Sequence, residues 1–265
     1  MKKVMILISV VFLLAVFMAA CSSTRSKTDT KSIDDESSEQ TKEENKMNTV
    51  NRFPSELAEI PKDYYSKADE QGTLVNLYYD TYESMTYDEK SKVLNKRAVV
   101  YLPAGYSDEK QYNVFYLMHG GWSNETTYLG TPETPGDFKN VLDNAIQTGE
   151  MEPMIVVCPT YNNESESDSS DYSLAIKLTN NYHNELIHDL IPAVEGTYST
   201  YAENTDEEGL RASRDHRAFC GFSMGSVATW RTFEYCLDYF IYLRHRVRMI
   251  SHTLHSSNRL TQWHR

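Results

Sequence analysis

The chain has 265 residues, with 38 acidic against 26 basic side chains and a formal net charge of −12. That balance excludes nucleic acid as a partner, because a phosphate backbone calls for a basic face. Hydrophobic residues make up 40% of the chain and it carries 19 Tyr, enough apolar surface to bury one core of ordinary domain size.

The N-terminus stands apart from that core. "MKK" is a positive start, "VMILISVVFLLAVFMAA" is apolar, and two small residues precede Cys21. These are the parts of a secretory signal. The ending "FMAAC" resembles a bacterial lipoprotein signal, in which Cys21 is lipidated and becomes the first mature residue. Residues 1–21 are therefore read as a lipoprotein signal peptide with its lipidated cysteine, the alternative being an uncleaved membrane span. Either reading puts the rest of the chain outside the cytoplasm, lipid-anchored on the outer face of a bacterial membrane or secreted. Residues 22–50 are rich in Ser, Thr and charge and free of aromatics. Burial there cannot offset the entropy of ordering, so they read as a flexible tether. Cys158, Cys220 and Cys236 are odd in number and lack metal-ligand spacing, so no disulfide framework is assigned.

From residue 51 to 240 the composition is globular, and strand-like and helix-like segments alternate. "GTLVNLYYDTYES" (72–84) and "KRAVVYLP" (96–103) are rich in β-branched and aromatic residues and read as an antiparallel edge pair. "YNVFYLMHG" (112–120) and "PMIVVCPTY" (153–161) are nearly continuous apolar runs, the pattern of central strands covered on both faces. Between them "DFKNVLDNAIQTGE" (137–150) repeats Phe138, Val141, Leu142 and Ile146 at helical spacing, with Asp137 as its opening residue. Residues 180–200 predict a second amphipathic helix, broken near Pro192. "HRAFCGF" (216–222) is a further strand and residues 225–240 a helix. Strands alternating with helices imply an α/β fold, a mostly parallel, doubly wound sheet with helices on both faces.

In such a sheet a site forms at the carboxyl ends of the strands. Three features fall there. Ser223 lies between Gly221 and Gly225, where strand 216–222 meets helix 225–240, and the helix N-terminus favours developing negative charge. "MHGGW" (118–122) follows an earlier strand, so amides of Gly121 or Trp122, with that of Met224, can form an oxyanion hole. His119 precedes the serine in the chain and is read as shaping its loop, not as the base. The polar loop "YNNESESDSSDYS" (161–173) either borders a substrate or is simply solvated.

"KRAVVYLPAGYSDEKQYNVFYLMHGGWSNETTYLG", "PMIVVCPTYNN", "ELIHDLIPAVEGTYSTYAE" and "HRAFCGFSMGSVATWRTFEYCLDYF" resemble the putative-esterase family of α/β-hydrolases, which includes esterase D-like enzymes and feruloyl esterases. The resemblance runs from about Gly72 to Phe240. It implies Ser223 as nucleophile, with the Met224 amide and the Gly121–Trp122 loop as oxyanion hole. Where the family has a third glycine after the serine, this chain has Ser226, another small residue. The family continues with further strands that carry an acid and then a histidine. Here residues 241–265 hold five Arg, four His and no acid, glycine or proline, a composition that resembles an out-of-frame tail. The tail offers no evident strand or turn to hold His245, His252, His255 or His264 as a base, and Asp238 reads as a surface residue of its helix. The sheet is thus expected to lack its last strands.

The leading reading is an esterase by ancestry, acting on acyl or feruloyl esters of plant cell-wall polysaccharide, with no metal or organic cofactor. This chain is expected to be nearly inactive for want of the triad acid and His. An acyltransferase of the same fold is one alternative. Another is a non-catalytic surface lipoprotein that binds carbohydrate through Trp122, Tyr128 and Tyr161, unless those aromatics are ordinary packing.

Overall fold

The computed structural model describes residues 59–246. Cys21, the 22–50 tether, His252, His255 and His264 lie outside the described residues.

Two ten-residue strands, β1 (Thr73–Tyr82) and β2 (Val93–Leu102), pair antiparallel along their whole length, Thr73 opposite Leu102 and Tyr82 opposite Val93. They were legible from their β-branched and aromatic content, though β2 begins three residues before the predicted Lys96. The chain then crosses to β3 (Asn113–Met118) and, through helix α1 (Asp137–Gln147), to β4 (Met154–Cys158). Asp137 is not the cap of α1; Gly136 holds that position and Asp137 supplies the acid of the first turn. Strand β5 (Arg217–Phe222) lies beside β3, and β6 (Tyr242–Arg246) completes a six-stranded sheet in the order β1-β2-β4-β3-β5-β6. β3 runs parallel to both β4 and β5, and β5 parallel to β6.

The expectation that no strand follows Phe240 is corrected by β6, which begins two residues later. Its backbone pairs Ala218 with Tyr242 through Phe222 with Arg246. Composition weighed the tail's basic charge above its apolar start, Ile241-Tyr242-Leu243, and that start is what continues the sheet. The domain therefore extends past residue 240, to Arg246 among the described residues.

Helix α2 (Tyr172–Glu185) starts eight residues before the predicted Asn180, because Asp171 caps it by accepting from the amides of Ser173 and Leu174. It does not break at Pro192. One wide π turn, Leu186–Leu190, joins it to α3 (Ile191–Thr197), where Pro192 sits in the first turn. A proline ring clashes with an α-helical carbonyl four residues back, and the widened turn absorbs that conflict. A short α4 (Glu207–Ala212) precedes β5. Helix α5 (Met224–Tyr235) ends five residues before the predicted Phe240, in a turn closed by the Tyr239 amide on the Cys236 carbonyl.

The period-two alternation of the strands divides the core in two. Ala98, Val100, Tyr116, Met118, Ile155, Val157 and Phe219 face one side, packed with Leu178, Tyr182, Leu190 and Val194 of the α2–α3 segment and Ala228 of α5. Val99, Tyr101, Leu117, Val156 and Cys158 face the other, packed with Leu142 of α1. Both faces are thus covered, as the continuous apolar runs of β3 and β4 implied. Buried ion pairs tie helices to strands. Glu185 accepts from Lys96 at 2.7 Å and from the Tyr79 hydroxyl at 2.6 Å, and Glu195 accepts from Arg217 Nη2 at 2.8 Å. Cys158, Cys220 and Cys236 form no disulfide among the described residues. Among the described residues, no helix is long and apolar enough to cross a membrane.

Candidate active site

The sharp turn from β5 into α5 is made by Ser223, with φ 52° and ψ −115°. A non-glycine residue in that region stores strain of about 1–3 kcal/mol, which persists only where the surroundings enforce it. The two glycines around it are what allow the turn. A Cβ on Gly221 would lie 2.1 Å from the Gly225 carbonyl oxygen, and one on Gly225 would lie 2.5 Å from that of His119. The start of α5 is therefore pressed against the end of β3. Ser226 folds its hydroxyl back to donate to the Ser223 carbonyl, which also accepts the Ser226 amide at 2.9 Å. The residue that departs from the family pattern thus adds a bond to the elbow.

Ser223 is exposed, and no described residue hydrogen-bonds its hydroxyl. The loop after β3 runs against it: a Cβ at Gly120 would sit 3.3 Å from the Ser223 Cβ. The Met224 amide, first in α5, has no intrahelical acceptor by geometry. Among the described residues the Gly121 amide has no backbone acceptor either. The amide of Trp122, the other candidate donor, is engaged elsewhere. It donates to the Ser169 carbonyl at 3.0 Å. Of the three candidate amides, those of Met224 and Gly121 are left without a backbone acceptor among the described residues.

His119 shapes the loop, as its place in the chain suggested. It is 1% exposed, stacked on Tyr161 at 4.4 Å. Its Nδ1 lies 2.7 Å from the Gly120 carbonyl, which can only accept, so Nδ1 carries the proton. Its Nε2, 2.7 Å from the Thr160 hydroxyl, is then the acceptor. Burial holds its pKa down to about 4, against a weaker upward pull from the Gly120 carbonyl. Its one lone pair is occupied, so it cannot take a proton from Ser223.

The other described histidines stand elsewhere. His216 bonds Asn113 at the amino ends of β5 and β3. His183 stacks on Tyr235, at the far end of α5 from Ser223, and His188 stacks on Tyr87. His245 lies within β6, its backbone paired with Gly221 of the elbow strand, so the expectation that the tail offers it no strand is corrected. Asp238 is a surface residue, 3.5 Å from Arg211 with its side chain 66% exposed. Among the described residues no cluster of three or more His, Cys, Asp or Glu is placed to hold a metal ion.

The loop over 161–171 is built, not merely solvated. The Asp168 carboxylate accepts the amides of Asn163 and Glu164 at 2.9 Å and of Ser165 at 3.3 Å. Ser169 in turn grips the loop after β3, accepting from the Ser123 amide at 3.0 Å and donating to the Ser123 carbonyl at 2.7 Å. Sequence reading missed Ser169 and Thr160, whose partners lie 46 and 41 residues away. The only signal was the Asp-Ser-Ser-Asp run, which marks a turn and a cap. The structure also separates the three aromatics considered as a carbohydrate platform. Tyr161 is fully buried and bonds the Gly120 carbonyl, and Tyr128 is half-buried against Phe138. Trp122 alone is open, 75% exposed.

Residues 91–235 match the family model described as "Putative esterase". The chain is 41% identical over 182 residues to endo-1,4-beta-xylanase Y of Acetivibrio thermocellus, covering 69% of this chain and 15% of that protein. It is 38% identical to a solved mutant of the feruloyl esterase module from Clostridium thermocellum complexed with sinapinate, with a TM-score of 0.56 over 71% of this chain and 60% of the module. A ferulic acid esterase from the anaerobic fungus Anaeromyces mucronatus aligns at 26% identity and TM-score 0.51, over 69% of this chain and 62% of that one. The chain thus spans less than two thirds of the length of these relatives. The sheet order, the elbow and the matched residues agree, and the chain belongs to the putative-esterase family, whose members are serine esterases of the α/β-hydrolase fold.

Proposed function

We propose that this chain carries the nucleophile and oxyanion half of a carboxylic-ester hydrolase site, acting on acyl or hydroxycinnamoyl esters of plant cell-wall polysaccharide. The observation that carries the reading is Ser223, strained and exposed at the head of α5 with the Met224 and Gly121 amides unengaged beside it. The named activities of the relatives support the ester class and the feruloyl acid. In this mechanism the Ser223 oxygen attacks the ester carbonyl carbon while an imidazole takes its proton. The two amides hold the oxyanion of the tetrahedral intermediate, the alcohol leaves with that proton, and water then cleaves the acyl-serine. None of His119, His183, His188 and His216 stands where it could take that proton. On this reading activity depends on a base beside Ser223, since loss of the base costs on the order of 10⁶ in kcat.

Exogenous imidazole tests the reading. The full chain and its Ser223→Ala variant are assayed on an aryl acetate with and without millimolar imidazole. A slow basal rate, raised by imidazole only in the parent beyond imidazole's own catalysis, is expected. Equal rates in parent and variant under both conditions overturn the nucleophile assignment. Turnover near ~10 s⁻¹ without imidazole, lost in Ser223→Ala, overturns only the missing base.

The membrane proposal rests on the "FMAAC" signal. Two or more acyl chains on and beside Cys21 would hold the protein stably to a membrane. Cys21→Ser should move it out of the detergent phase or block its maturation; an unchanged distribution and mass refutes lipidation.

A further inference from the structure

Three non-glycine residues among those described have positive φ, and two of them, Ser223 and Trp122 (φ 56°), belong to the site. Trp122 is also the most exposed of the large hydrophobic residues. A tryptophan held open in a strained backbone needs surroundings that enforce it. The Trp122 amide is tied to the Ser169 carbonyl, and the next residue, Ser123, is bonded at both its amide and its carbonyl by the Ser169 hydroxyl. Asn162 Nδ2 adds a second donor to the Ser123 carbonyl at 3.1 Å. Ser169 itself is 2% exposed and stands in the loop that Asp168 fastens. Phe222, the residue before the nucleophile, is also open, 52% exposed.

We infer that Trp122 is the platform on which the aromatic ring of the acyl group stacks, and that Ser169 is the positioning residue that presents it. The inference rests on the ester-hydrolase reading for the identity of the ligand. It assigns selectivity to the built loop rather than to the oxyanion hole: a ring stacks well on an indole, an aliphatic acyl group less well.

The test measures binding, so it does not depend on turnover. The full chain carrying Ser223→Ala is titrated with methyl ferulate and with methyl 3-cyclohexylpropanoate, a ligand of similar size without a π face. Adding Trp122→Ala should weaken methyl ferulate about tenfold and the cyclohexyl ester much less. Ser169→Ala should weaken methyl ferulate about threefold and the cyclohexyl ester much less, and Ser169→Thr, which keeps the hydroxyl, should restore it. Equal methyl ferulate affinity in the Trp122→Ala chain overturns the platform. Equal loss of both ligands in Ser169→Ala reduces Ser169 to a structural residue and overturns its positioning role. Failure of the imidazole experiment with these binding effects intact sinks the hydrolase reading alone.

Discussion

Lowering the pH from 7 to 4.5 should destabilise this fold by about 2.5 kcal/mol through one side chain, His119. In the unfolded chain the imidazole titrates near its ordinary 6.5, and in the folded chain burial holds it down to about 4. The unfolded state therefore binds more protons between those values, so stability is present in full above 6.5 and is lost as pH falls toward 4. The whole window is worth about 3.4 kcal/mol, at 1.36 kcal/mol per pKa unit, and about 2.5 kcal/mol of it has gone by pH 4.5. The structural cause is specific. Protonating Nε2 turns an acceptor into a donor opposite the Thr160 hydroxyl, which already receives the Asn162 amide at 3.0 Å. Carboxylates titrate nearby in pH, so the assay is a comparison: urea unfolding of the parent and of His119→Gln at pH 7 and at pH 4.5. The parent should lose about 2.5 kcal/mol more than the variant across that interval. Equal losses would refute the buried neutral imidazole and the loop geometry derived from it.

The elbow makes a contrast between glycines. Gly225→Ala drives a methyl into the backbone of β3 and should cost about 1–3 kcal/mol in urea, whereas Gly121→Ala, whose Cβ would meet only the Ser169 oxygen at 3.4 Å, should be nearly neutral; equal effects would count against the close approach of α5 to β3. Ser223→Gly relieves the positive φ and should stabilise the chain by about 1 kcal/mol, read as a higher melting temperature, while an unchanged or lower value would mean the turn is not strained. Arg217→Ala strands Glu195, whose side chain is 2% exposed, and removes donors from the Leu210 and Tyr239 carbonyls. A loss of about 3–5 kcal/mol is expected in urea, and a loss under 1 kcal/mol would show that the pair is solvated.

The sequence by itself determined the elements whose signal is local. β3 and β4 were legible because strands covered on both faces must be apolar throughout, and the structure buries Val114, Tyr116, Ile155 and Val157 on one face with Leu117 and Val156 on the other. Ser223 was legible because the strand-to-helix turn has one steric solution, and that solution writes glycines two residues to either side. Asp238 was read correctly as a surface residue, though the helix it was assigned to ends at Tyr235.

What only the tertiary structure decided depends on partners far apart in the chain. Gly121 and Trp122 are adjacent and alike as backbone donors in sequence. The Ser169 carbonyl, 47 residues from Trp122 along the chain, takes one amide and leaves the other. Tyr161 and Trp122 were equal candidates for a carbohydrate face until packing put one under His119 and the other in solvent. β6 was hidden because a basic composition carries no register, whereas the edge of β5 offers a row of amides and carbonyls that an apolar start can pair. In each case the residue type allowed two outcomes, and the choice fell to a hydrogen-bond acceptor or a neighbouring ring brought in from a distant part of the chain.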